Sequence, residues 1–296
     1  MLTGEQPAAT DVNAVIDAHE RSGYRLAVGG VETFVLDLGH GQPVVCLHGV
    51  PASSFLYRKL IVELAARRLR GIAFDLPGLG LAERPAAFDY TWTGLGRFAS
   101  AAVEALDLDR FHLVVHDIGA PVGFELAAAH PARVASLTVL NAPVEVDTFH
   151  RPWVMKPFAV KGLGEAYLRL LNPPTFRWLM RHQGIADLSK ITTAELDAYL
   201  VLLRRTDKGR AFLKIMRGFE LTRAKRDLYV GLLRSRAFPV QIIWGEADPA
   251  LKVTTFGEIA RRAAGVDHIH RLPGKHFLQE DQSPALAELI TAQARP

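Results

Sequence analysis

The chain has 296 residues, 49% of them hydrophobic and 22% charged, with a formal net charge of +4. That composition belongs to an ordinary soluble globular protein, long enough for one large domain or a core with an inserted subdomain. Arginines such as Arg67, Arg68, Arg204, Arg205, Arg261 and Arg262 are scattered over helical stretches, and no basic run is interleaved with aromatics, so no nucleic-acid partner is expected.

Taken in chain order, residues 1–18 are polar and acidic and lack the charged-then-apolar pattern of a targeting signal. A cytoplasmic location is the default expectation. Residues 12–22 read as a short polar helix. Residues 24–28 and 31–38 read as two strands of a hairpin around Gly29-Gly30. Residues 43–47 form a continuous apolar strand that holds Cys46, the single cysteine, so no intrachain disulfide can form and a His/Cys metal site is not expected. The run ends at His48-Gly49-Val50-Pro51. A helix over 55–69, a strand over 71–75, a helix over 93–106, a strand over 111–116, a helix over 120–129 and a strand over 134–140 follow. Continuous apolar strands alternating with amphipathic helices point to an α/β fold whose parallel sheet is covered on both faces. From 144 to 225 the texture changes to helices and prolines (Pro152, Pro157, Pro173, Pro174), with helices expected over 165–171, 194–205 and 210–219. The α/β pattern resumes with a strand over 239–244, a helix over 255–263, a strand over 267–272 and a helix over 283–294. The simplest organisation is a core of residues 1–143 and 226–296 interrupted by a helical insertion, 144–225. No apolar run approaches the ~20 residues needed to span a bilayer, so no membrane insertion is expected. Nothing calls for a metal or cofactor, and oligomeric state leaves no signature.

Chemistry-bearing residues gather at strand ends, where open parallel sheets bind ligands. The strand 111–116 runs into His116-Asp117-Ile118-Gly119 and then a helix. This is the setting of a nucleophile elbow, G-x-S-x-G, with His116 for the first glycine and Asp117 for the serine. A carboxylate there attacks carbon and forms an ester. Asp248 follows the strand that ends at Trp244, and His276 follows the last strand, giving the chain order nucleophile, acid, histidine. The backbone N–H groups of Val50 and Ile118 are placed to form an oxyanion hole. Each residue also has a duller reading: Asp117 as a helix N-cap, Asp248 as a turn residue before Pro249, His276 as a surface histidine. The combination favours catalysis. His48, Gly49 and His116 are read as supporting the site, and Asp75 as ordering its own loop. Asn141 lies at a strand end but, as an amide, cannot serve as the triad acid.

Five segments together resemble the aspartate-nucleophile branch of the α/β-hydrolase fold family, which includes haloalkane dehalogenases and soluble-type epoxide hydrolases. They are His48-Gly49-Val50-Pro51, Asp75-Leu76-Pro77-Gly78-Leu79-Gly80, His116-Asp117-Ile118-Gly119, Gly245-Glu246-Ala247-Asp248 and His276-Phe277-Leu278-Gln279-Glu280-Asp281. The resemblance implies a mostly parallel eight-stranded sheet with helices on both faces and a helical cap over the site. It also implies a two-step hydrolysis, in which an alkyl ester on Asp117 is cleaved by water activated by His276 and Asp248.

The leaving group turns on cap residues. Dehalogenases of this branch usually place a tryptophan after the nucleophile and a second N–H donor opposite; here Ile118 and Val50 stand at those positions, leaving Trp153 and Trp178 as candidate pocket residues. Epoxide hydrolases usually use cap tyrosines; Tyr167 is the candidate donor, Phe219 stands where the second tyrosine is expected, and Tyr199 reads as packing. Epoxide hydrolysis is therefore expected ahead of dehalogenation, with ester hydrolysis and a non-catalytic binding protein behind. The expected partners are a small apolar electrophile and water. Arg151, Arg169, Arg177 and Arg181 are expected to face outward.

Overall fold

In the computed structural model, which describes residues 11–295, the continuous apolar runs form the middle of one eight-stranded sheet. Residues 1–10 of the segment read as free of a targeting signal lie outside the described residues. The strands are β1 (Tyr24–Val28), β2 (Val31–Leu38), β3 (Pro43–Leu47), β4 (Arg70–Phe74), β5 (Phe111–His116), β6 (Val134–Leu140), β7 (Val240–Gly245) and β8 (His270–Leu272). Their spatial order is β1-β2-β4-β3-β5-β6-β7-β8. β2 runs antiparallel to β1 and β4, and every other pair is parallel. Alternate residues of β3 enter opposite layers. Val45 and Leu47 join one apolar cluster; Val44 and Cys46 join the other. Both layers are buried, which is why β3 and β5 show no exposed–buried alternation. Burial pushes the Cys46 thiol well above its ordinary range, so this cysteine is packing rather than a nucleophile.

The helices are α1 (Val12–Arg21), α2 (Arg58–Ala66), α3 (Trp92–Ala105), α4 (Gly119–Ala129), α5 (Leu163–Leu170), α6 (Pro173–Leu179), α7 (Thr193–Arg204), α8 (Arg210–Arg217), α9 (Arg223–Arg234), α10 (Glu258–Ala264), α11 (Leu278–Asp281) and α12 (Ser283–Ala294). α2 and α12 pack together on one face of the sheet, and α3, α4, α9 and α10 form the other layer. Two helices depart from the expectation. Pro173 and Pro174 do not break the chain; they open α6, where the first turn needs no N–H, and Asn172 caps it by accepting from Thr175 N–H at 3.0 Å. α9 begins under a Thr222 cap and buries Tyr229, Val230 and Leu233 against the core layer. Its charged first turn, Arg223 to Asp227, hides that stripe from a periodicity reading. β8 is also shorter than the expected strand.

Register sets the site. Leu47 pairs with Val115, His116 with Leu140, Leu140 with Ile243, and Gly245 with Leu272. The residues that follow these strands, His48 to Val50, Asp117, Asn141, Asp248 and His276, therefore emerge side by side. The strand order reverses between β3 and β5, the crevice position of open α/β sheets. A buried charge cluster holds the helical segment to this edge. Glu280 of α11 pairs with Arg58 Nη1 at 2.5 Å and Lys59 at 2.8 Å and accepts from the Tyr199 hydroxyl. Arg58 also reaches Glu195 of α7 at 2.7 Å. Removing one partner of such a network leaves an uncompensated buried charge, a cost of about 3–5 kcal/mol. Among the described residues, no helix is long and apolar enough to cross a membrane.

Candidate active site

Asp117 sits in the left-handed region at φ +53°, a conformation that side chains other than glycine adopt only when the surroundings impose it. Tight packing imposes it here. A Cβ on Gly119 would lie 2.4 Å from the Leu47 carbonyl oxygen, so the turn into α4 presses directly on β3. The Asp117 side chain is thereby thrust out beyond the sheet. Its Oδ1 accepts from the Val50 N–H at 2.9 Å, and its Oδ2 lies 3.5 Å from Nε2 of His276. Nδ1 of His276 donates to Oδ2 of Asp248 at 2.8 Å.

The electrostatics follow from burial opposed by pairing. Burial disfavours the Asp117 carboxylate, but the hydrogen bond and charge of His276 outweigh it and hold the group below its ordinary range; the Ile118 N–H adds to this. Burial likewise works against the charged His276 ring, yet the two flanking carboxylates raise it to about 10. Asp248 is buried and also held low, by His276, Asn141 and the Leu251 N–H. Its Oδ1 accepts from Ala250 and Leu251 N–H at 2.8 and 2.9 Å, and its Oδ2 accepts from Asn141 Nδ2 at 2.6 Å. Asn141 Oδ1 in turn accepts from the Gly245 N–H at 3.0 Å. Asn141 is thus no acid but ties β6 to the loop that carries Asp248, a role its place at a strand end had only hinted at.

The two supporting histidines are spent on backbone. His48 donates from Nδ1 to the Gly49 carbonyl at 3.0 Å and accepts at Nε2 from Leu76 N–H at 3.0 Å. Burial lowers its ring pKa. His116 donates from Nε2 to the His276 carbonyl at 2.8 Å, and burial plus the neighbouring His276 charge lower it to about 3. Asp75 accepts from Ser54 and Leu81 N–H, both at 2.6 Å, and so orders the loop after β4. Gly49 has no room for a side chain: a Cβ there would lie 2.2 Å from Asp117 Oδ1. A Gly49→Ala variant is therefore expected to push the carboxylate aside and cut turnover about 10²-fold, with a lowered melting temperature because Asp117 Cβ, 2.4 Å from the new methyl, must shift too. Wild-type rates in that variant would show that the carboxylate position is unimportant.

These groups open onto a cavity of about 120 Å³ walled by Val50, Ile118, Phe149, Phe176, Phe219 and Phe277, among others. An apolar cavity of roughly 150 Å³ accepts benzene, so the space suits a small molecule. The wall is almost wholly apolar: among the described residues that line it, Asp117, His276, Arg151 and Gln183 are the polar ones.

The sequence profile of the alpha/beta hydrolase fold family matches residues 42–283. The chain belongs to this family. Haloalkane dehalogenase 2 of Mycobacterium tuberculosis is 31% identical over 270 residues, covering 86% of this chain and 88% of that protein. Two solved structures share the fold. A haloalkane dehalogenase from Bradyrhizobium elkani superposes with a TM-score of 0.75 at 23% identity, covering 92% of this chain and 98% of that one. An epoxide hydrolase from Vigna radiata gives 0.69 at 20% identity, covering 91% and 96%.

Within this α/β-hydrolase the tyrosine and tryptophan candidates lie apart from the cavity. Tyr167 is not on its wall; its ring packs on Phe158 with centroids 5.0 Å apart, and burial pushes its phenol up. Tyr199 is buried against Glu280, and Tyr229 donates to Glu125 at 2.8 Å. Trp153 is 64% exposed, and Trp178, 49% exposed, stacks on His182 beside an outer groove. Among the described residues, neither a tyrosine hydroxyl nor a tryptophan N–H reaches the cavity wall. Phe219 is the one of the candidate pocket residues that does. Arg169 is exposed and Arg177 pairs with Asp197, as expected of outward arginines, but Arg151 turns inward onto the cavity. The reason is the ring of Phe219, over which its guanidinium carbon sits at 4.5 Å. That contact joins residues far apart in the chain and has no local signature.

Proposed function

We propose that this α/β-hydrolase displaces an anionic leaving group from a small apolar electrophile through an alkyl ester on Asp117. The observation that carries the reading is the disposition of one carboxylate. Oδ1 is already held by the Val50 N–H, and Oδ2 faces the cavity beside His276. In the first step Oδ2 attacks the substrate carbon, the new C–O bond forms as the bond to the leaving group breaks, and the electron pair departs with that group. In the second step His276 takes a proton from water, and the hydroxide adds to the Asp117 carbonyl carbon. The Val50 and Ile118 N–H groups stabilise the oxyanion on Oδ1. Collapse expels the alcohol and restores the carboxylate. Asp248, with both oxygens satisfied, holds the ring in place.

The wall composition favours halide over epoxide oxygen, the reverse of the order expected from the sequence. An epoxide leaves as an alkoxide and needs a proton, which a phenol supplies. A halide needs only N–H donors, and Gln183, a residue of the same wall, carries a carboxamide that can supply one. The likeness to a protein named as a haloalkane dehalogenase supports the same choice. The test is product analysis with 1-bromobutane and styrene oxide. Bromide and butanol are expected in equal amounts, and Asp117→Ala is expected to reduce the rate by about 10³-fold or more. Diol without bromide would reverse the leaving-group assignment. Wild-type turnover by Asp117→Ala would end the ester scheme.

A further inference from the structure

Arg151 is a cation on a mostly apolar cavity wall, and no carboxylate among the described residues pairs with it. Its Nη2 donates to the Met216 carbonyl at 2.8 Å, while its Nε is buried with no hydrogen-bond partner among the described residues. Arg177 and Arg217, from the same stretch between β6 and β7, pair with Asp197 and Glu165. Arg151 has no such carboxylate among the described residues. Burial lowers its pKa, and no acidic group, Asp117 included, offsets the shift. A half-buried guanidinium whose Nε is cut off from water and from any acceptor among the described residues is stabilised by an anion brought to its open edge. The Phe219 stack and the single carbonyl fix its plane but leave Nη1 and Nε without an acceptor among the described residues. A planar fork with free N–H groups is the shape that recognises a carboxylate.

We propose that Arg151 binds the carboxylate of an acid substrate whose electrophilic carbon, at the other end of a short chain, reaches Asp117. Arg151 is then a specificity-determining residue that selects ω-substituted carboxylic acids over neutral alkyl electrophiles. The proposal rests on the ester-forming reading of Asp117 for the reaction, but the binding half stands separately. The step is the one given above: the C–O bond to Asp117 forms, the carbon–halogen bond breaks, and the carboxylate at Arg151 is unchanged.

The test compares 6-bromohexanoate with its neutral isostere 6-bromohexanamide. The wild type is expected to favour the acid in kcat/KM by about tenfold or more, carried by KM, as a charge-assisted pair in an apolar site implies. Arg151→Met is expected to erase that ratio, and Arg151→Lys to restore part of it. Calorimetric binding of hexanoate, which cannot react, is expected to weaken about tenfold in Arg151→Met. Equal kcat/KM for acid and amide in the wild type would overturn the assignment and needs no variant to fold. So would a preference for the acid that survives Arg151→Met; the arginine would then be a clamp between Phe219 and Met216. Hexanoate binding that depends on Arg151, with no bromide released from any electrophile, would uphold the Arg151 assignment while refuting the Asp117 reading.

Discussion

A His276→Gln variant exposed to 1-bromobutane is expected to stop at the ester, carrying one butyl group on Asp117. The two steps make unequal demands on the histidine. Asp117 is held ionised by its surroundings and needs no base to attack carbon. Water does need one, and His276 is the group whose Nε2 faces the carboxylate at 3.5 Å while its Nδ1 is tied to Asp248. His48 and His116 cannot take over, because each has a ring nitrogen engaged by backbone and both are buried with lowered pKa values. Loss of general-base catalysis is worth about 10²–10⁴-fold, so the intermediate outlives the assay and mass spectrometry of a peptide containing Asp117 reads it directly. Glutamine preserves a hydrogen bond to Asp248 and keeps the loop closed. Bromide is expected in a burst of one equivalent. Sustained turnover by this variant, or an adduct on any other residue, would remove the two-step scheme.

The residues at the reacting end were legible because they are local. Asp117 and Asp248 each follow a strand that an apolar run announces, His276 follows the short β8, and parallel register carries the three ends to one edge. β3, β5 and β6 fall on the expected residues because sheet burial writes itself into consecutive side chains, and β1 and β2 because the Gly29-Gly30 turn marks their hairpin. The other end of the cavity was not legible. Tyr167 has the right residue type in the right stretch, yet α5 turns its ring onto Phe158. Arg151 has the type of an exposed residue, yet Phe219 draws it inward. Both outcomes depend on how the helices between β6 and β7 pack on one another, and that packing joins distant segments without a fixed register. Family resemblance could not bridge the gap either, since it supplied residue types expected opposite the nucleophile and not the direction in which this chain points them.

The same charges that prepare the site should split the pH dependence of the two steps. In the resting enzyme His276 lies between two carboxylates and is raised to about 10, so at neutral pH it is an imidazolium. Alkylation of Asp117 removes one of those negative charges. The ring then keeps Asp248 alone, and its pKa falls, which releases the proton that must leave before the ring can act as a base. Ester formation depends on ionised Asp117, whose pKa lies below the ordinary carboxylate value of 3.8. Single-turnover alkylation should therefore be flat between about pH 5 and pH 9. Ester hydrolysis needs neutral His276, so its rate should climb about tenfold per pH unit in acid and level off below pH 10. The sign of the stability linkage is the opposite. The raised His276 pKa contributes stability that is full below the unfolded value of 6.5 and lost as pH rises through about 10. The lowered Asp117 and Asp248 values contribute stability that is present above 3.8 and lost as pH falls. Alkaline solution thus speeds the second step while loosening the resting site. Quenched-flow measurement of bromide and butanol separates the two rates. A hydrolysis rate indifferent to pH, or alkylation that titrates through the neutral range, would place the controlling proton on a group other than His276.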